Sequence, residues 1–153
     1  MNTKIDNNCI FCNIGQKKID ANIVDENEDA VAFLDAYPLT AGHTLVTTKN
    51  HYAKLQDVGF DEIINVFKLA YKILPSIEEG TNARGTLLAI HNGKDAGQEI
   101  PHVHLHIVPR KPSDGGAAIH SMFDSIHRLE KSEMMRVFKN IKEHSEKRTL
   151  GPN

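Results

Sequence analysis

Apolar and polar positions alternate along this chain in short blocks that spell out a sheet. Ile23 to Glu26 and Ala30 to Leu34 are short apolar stretches separated by the polar Asn27-Glu28-Asp29, which predicts a hairpin. His43 to Thr48 predicts a third strand, reached through the turn-forming Pro38-Leu39-Thr40-Ala41-Gly42. From Asp61 the period changes. Ile63, Val66, Phe67, Ala70, Leu74 and Ile77 fall on one helical stripe, with Asp61 available as cap and Pro75 expected to kink or shorten the helix. Thr86 to Ile90 and Val103 to Val108 predict a fourth and a fifth strand, joined by the turn-rich Asn92-Gly93-Lys94-Asp95-Ala96-Gly97. Beyond Pro109, the stretch Lys111 to Ala118 contains Pro112, Gly115 and Gly116 and is expected to be a mobile loop. Ser132 opens a shorter helix with Met134, Val137, Phe138 and Ile141 on one face, and Arg148 to Asn153 is expected to fray. The class is α+β: an antiparallel sheet of about five strands, with one long and one or two shorter helices packed on one side.

Composition narrows the setting. The 153 residues show no internal repeat and no low-complexity linker, so a single domain is expected, with its ordered part running from about Cys9 to Ile141. Eighteen basic residues against twenty acidic ones leave a formal charge of −2. That balance supplies no long-range field for nucleic acid or an anionic membrane, and neither is expected as a partner. No apolar run approaches the roughly 18 to 20 residues of a membrane helix, and Met1 to Asp6 lacks the apolar core of a secretory signal, so a cytoplasmic location is expected. Two cysteines make no disulfide framework. Their spacing, Cys9-Ile10-Phe11-Cys12, suits a metal site, a redox pair or two buried thiols.

The informative segment is His102-Val103-His104-Leu105-His106-Ile107-Val108. With nine His in the chain, chance would place three at i, i+2, i+4 only about 0.03 times. Strand alternation lines the three imidazoles along one face and sends Val103, Leu105 and Ile107 to the other. A polar exposed face is one reading. A shared metal is another, but at ~3.4 Å per residue His102 and His106 stand ~13 Å apart, too far for one ion on an unbent strand. The third makes the middle residue, His104, a nucleophile. A neutral imidazole attacks an electrophilic phosphorus through one nitrogen when its other nitrogen keeps a proton on a fixed acceptor. The preceding turn, Asn92 to Glu99, offers backbone N–H groups and the Gln98 amide for a phosphate.

On these residues the sequence resembles the histidine-triad (HIT) family of nucleotide hydrolases and transferases. The pattern of three His separated by apolar residues is met without a gap. The resemblance runs from Cys9 to Arg110 and takes in Phe33-Leu34-Asp35, Gly42-His43-Thr44-Leu45-Val46, His51 and Gly97-Gln98. It implies a HIT-like fold, a homodimer and a nucleotide substrate with a purine base. His104 would attack the α-phosphorus to form a nucleotidyl-histidine, with His106 on the phosphate oxygens or leaving group and His43 completing the cluster. Asp35 would contact the ribose hydroxyls, and Asn92, Gly97 and Gln98 the phosphate side. Val108-Pro109-Arg110 is similar to the branches that hydrolyse dinucleoside polyphosphates, where Mg²⁺ can accompany the substrate; a nucleoside phosphoramidate is the other substrate class. The resemblance further implies a structural zinc held by Cys9, Cys12, His51 and His102. Two positions depart from the family pattern: His91 stands where relatives carry Asn or Gln, and Glu99 where one branch carries a hydroxyl residue. Two rival readings remain at this level: a nucleotide-binding regulator without turnover, and a hydrolase in which a His pair of the strand holds a metal that activates water.

Overall fold

The structure is a computed structural model and describes residues 4–123 and 128–148. The chain forms two compact units, one ending at Asp114 and the other beginning at Gly115. The first contains the helix α1 (Ile10–Gly15), the strands β1 (Ile23–Glu26), β2 (Ala30–Leu34) and β3 (Thr44–Thr48), the long helix α2 (Phe60–Thr81), and the strands β4 (Gly85–Ala89) and β5 (His104–Arg110). All five strands join one antiparallel sheet in the order β1-β2-β3-β5-β4, as the α+β pattern requires. The second unit contains a short 3₁₀ turn at Ile119–Met122 and the helix α3 (Lys131–Glu146). Of the expected frayed tail, residues 149–153 lie outside the described residues.

The sheet is apolar on both faces, and this is where the expectation of helices on one side fails. Ala30, Ala32, Val46, Leu105 and Ile107 pack beneath Val66, Leu69, Ala70, Ile73 and Ile77 of α2. On the opposite face Val31, Phe33 and Leu45 pack against Phe11, Cys12 and Ile14 of α1. Consecutive β2 residues Ala30 to Phe33 are all buried, which a strand achieves only when both faces are covered. Six residues are too few for α1 to announce itself by periodicity.

Other departures have local causes. α2 starts one residue before Asp61, from Gly59, and Asp61 and Glu62 instead place negative charge in the first turn, where the helix dipole favours it. Pro75 sits inside α2 without ending it. The carbonyl it deprives of a partner belongs to Tyr71, and both residues lie on the exposed side, where water can replace the lost bond. The buried stripe is also rotated from the one expected. Leu69 and Ile73 are inside, while Phe67 is half exposed. β5 begins at His104 and runs through Pro109, beyond the last pairing with β3 at Ile107, where only β4 still requires register. The first part of the expected mobile loop is a closed turn: Arg110 binds Asp114 through Nε at 2.7 Å, and the Lys111 N–H bonds the same carboxylate.

Candidate active site and metal centre

β5 pairs Leu45 with His106 and Thr47 with His104, so both imidazoles stand on the α1 face of the sheet, opposite Leu105 and Ile107. Phe11 of α1 lays its ring 5.1 Å from that of His104, edge to face. His104 is buried, and its Nδ1–H donates to the His102 carbonyl at 2.6 Å. That bond fixes the tautomer and leaves the lone pair on Nε2. Burial, with a smaller contribution from His91, lowers the His104 pKa and keeps the ring neutral at pH 7.

His43, just before β3, continues the cluster. The Leu39 N–H donates to His43 Nδ1 at 3.2 Å, so the proton of the neutral ring is on Nε2. His43 Nε2 lies 3.0 Å from His106 Nδ1 and donates to it, which places the His106 proton on Nε2. That Nε2 is buried and has no partner. A backbone donor thus sets two tautomers in series and presents one unspent N–H beside the free lone pair of His104, whose ring centroid is 4.8 Å from that of His106. Burial, then the rings of His104 and His43, push the His106 pKa down to about 4. Burial lowers that of His43 too, opposed by the Asp35 carboxylate 3.5 Å from its Nδ1. Donor atoms of Asp35, His43 and His106 lie within 4.8 Å of one another, the geometry of a possible ion site, but a proton already joins the two rings. Asp35 Oδ1 accepts from the Tyr37 N–H, so the residue shapes its turn while its other oxygen faces His43.

The turn before β5 is built from residues expected to hold a phosphate, and several of its donors are already engaged. Ala96 N bonds Gly93 O, Gly97 N bonds Lys94 O and Gln98 N bonds Gly93 O. The Gln98 side chain accepts from Gly93 N and donates to Ala53 O. Asn92 donates to Gln56 and accepts from Leu55 N. Asn92 and Gln98 therefore tie the turn to residues 53–56. The turn also brings His91 into the cluster, its ring 5.3 Å from that of His106 and its Nδ1 3.2 Å from the Gly97 carbonyl oxygen. His91, which departs from the family pattern, is carried into the cluster by its position two residues past β4.

His102 turns away from this cluster. Its Nδ1 lies 3.3 Å from Cys9 Sγ and 3.6 Å from Cys12 Sγ, and His51 Nδ1 is 3.4 Å from Cys12 Sγ. Zn–S bonds of about 2.3 Å and Zn–N bonds of about 2.0–2.1 Å at a tetrahedral angle put S and N about 3.6 Å apart, so the donor set fits zinc. Its outer support is also present. His102 Nε2 donates to the Thr48 carbonyl at 2.9 Å and lies 3.0 Å from the Thr48 hydroxyl, which holds the Nδ1 lone pair toward the thiols. Nothing in the sequence marked Thr48 for that task. Burial raises the Cys12 thiol pKa and pushes that of His102 down to about 4. The ends of the triad thus belong to separate clusters, as the spacing along the strand demanded.

Comparisons with known proteins follow the same lines. A family model described as the HIT domain matches residues 16–113. An uncharacterized HIT-like protein, MJ0866, of Methanocaldococcus jannaschii is 36% identical over 86% of this chain and 98% of its own length. The adenosine 5'-monophosphoramidase HNT1 of Saccharomyces cerevisiae is 29% identical over 87% of this chain and 85% of its own. A zinc-bound histidine triad family protein from Mycobacterium smegmatis superimposes with a TM-score of 0.66 at 36% identity, covering 70% of this chain and 78% of that one.

Proposed function

The chain belongs to the HIT domain family, and from that footing we propose that it is a nucleotidyl hydrolase working through a nucleotidyl-His104 intermediate. The observation that carries this is the pairing at the centre of the site: a lone pair on His104 Nε2, guaranteed by the Nδ1–H bond to His102, beside an unpartnered N–H on His106. In the first step the Nε2–P bond forms as the bond from the α-phosphorus to the leaving group breaks. The His106 N–H steadies the charge on the phosphoryl oxygens. In the second step water displaces His104 and releases a nucleoside monophosphate. The yeast relative's activity supports a phosphoramidate as substrate, and Val108-Pro109-Arg110 supports a dinucleoside polyphosphate, with Mg²⁺ as its companion ion. The Asp35 carboxylate is the group for the ribose hydroxyls of a purine nucleotide.

Zinc belongs to the same reading, held by Cys9, Cys12, His51 and His102 in a structural role, since His104 and His106 stand apart from it. It would tie α1 to the start of β5. A homodimer is supported by exposed apolar side chains: Phe60, Phe67 and Tyr71 on α2, and Leu87 and Leu88 on the edge strand β4.

The deciding experiment is product analysis on a panel of diadenosine polyphosphates and an adenosine phosphoramidate, with acid-labile adduct trapping. His104→Ala is expected to fold and bind nucleotide but neither turn over nor form the adduct. Turnover by that variant would overturn the proposal.

A further inference from the structure

Hydrolysis of a nucleotidyl-histidine is accelerated by a group that takes a proton from water, and three of the four clustered imidazoles have no lone pair to give. In the intermediate His104 Nε2 is bonded to phosphorus, and its Nδ1–H is on the His102 carbonyl. His106 Nδ1 accepts from His43, and His43 Nδ1 accepts from Leu39 N–H, so both are filled. His91 differs. Its Nδ1 faces the Gly97 carbonyl oxygen at 3.2 Å; a carbonyl only accepts, so Nδ1 carries the proton and Nε2 keeps a lone pair. The ring is half-buried and its centroid is 5.3 Å from that of His106, on the active-site side of the turn. Gly97 stands at φ +86°, a conformation that other residues rarely adopt, and this glycine aims the carbonyl that orients His91.

Resting on the nucleophile reading above, we propose that His91 Nε2 is the general base for the water that attacks nucleotidyl-His104. The water oxygen bonds to phosphorus as the P–Nε2 bond breaks and its electron pair returns to His104. One water proton passes to His91 Nε2, and the other leaves with the monophosphate. The imidazolium keeps its bond to Gly97 and gives up the extra proton to solvent through its exposed edge. An Asn or Gln side chain at this position would offer only a non-basic amide, which cannot take the proton at neutral pH.

The test is a rapid-quench measurement on His91→Ala and His91→Asn, using the panel member that the unaltered protein hydrolyses fastest. Both variants are expected to form one equivalent of adduct at an unaltered rate and to lose it about 100-fold more slowly, within the range for a general base. Added imidazole should restore the decay in His91→Ala. Adduct decay at the unaltered rate would overturn the proposal while leaving the nucleophile in place. So would equal slowing of formation and decay with no response to imidazole, the mark of a positioning role. If the unaltered protein forms no adduct and His104→Ala still turns over, the nucleophile reading falls, and the base with it.

Discussion

His106 makes the protein's stability fall in mild acid by an amount the structure sets. Its imidazole titrates at about 4 in the folded chain, because burial and three neighbouring rings oppose a charge, against about 6.5 when unfolded. The unfolded chain therefore binds the extra proton between these values. Stability from this residue is fully present above about pH 6.5 and is lost progressively as pH falls toward 4. A difference of about 2.5 pK units corresponds to about 3 kcal/mol over the full range, of which about 2 kcal/mol is gone by pH 5. With an m-value of about 2 kcal/mol/M, the urea midpoint should drop by about 1 M between pH 7 and pH 5 on this account. The assay compares that drop in the zinc-loaded protein with the drop in His106→Gln. Any acid lability of the cysteine site is common to both, so the difference between the slopes isolates His106. Parallel slopes would refute the claim that His106 is held neutral by its surroundings.

Removing a side chain of the proposed zinc site, Cys9→Ser, should lower the zinc content from one per chain and reduce the melting temperature together; metal-free protein of unaltered stability, by metal analysis and calorimetry, would contradict the structural role. Thr48→Val removes the hydroxyl behind His102 but keeps the carbonyl, and a competition titration with a chelator should show zinc affinity lower by about tenfold. Phe11→Ala empties the space between Phe33, His102 and His104, and chemical unfolding should register a loss of about 3–5 kcal/mol.

Alternation along a strand is a local property, and it determined most of the architecture. Five strands, the long helix and the common face of His104 and His106 follow from periods of two and 3.6, which need no knowledge of distant residues. The rise per residue likewise forbade one ion from holding both His102 and His106, and the two indeed fall in different clusters. Contacts across long stretches of chain were another matter. Cys9 meets His102 across 93 residues, and His43 meets His106 across 63. Such pairs depend on strand order and register, which are settled when apolar faces are buried and not by neighbours in sequence. The tautomers of the site depend on a backbone N–H at Leu39 and a carbonyl at Gly97, groups that every residue except proline carries and that no side-chain pattern distinguishes. So the chain announced which histidines and cysteines could cluster. Only the folded sheet decided which nitrogen of each ring carries the proton and which keeps a free lone pair, because that choice is made by hydrogen bonds between segments that meet after folding.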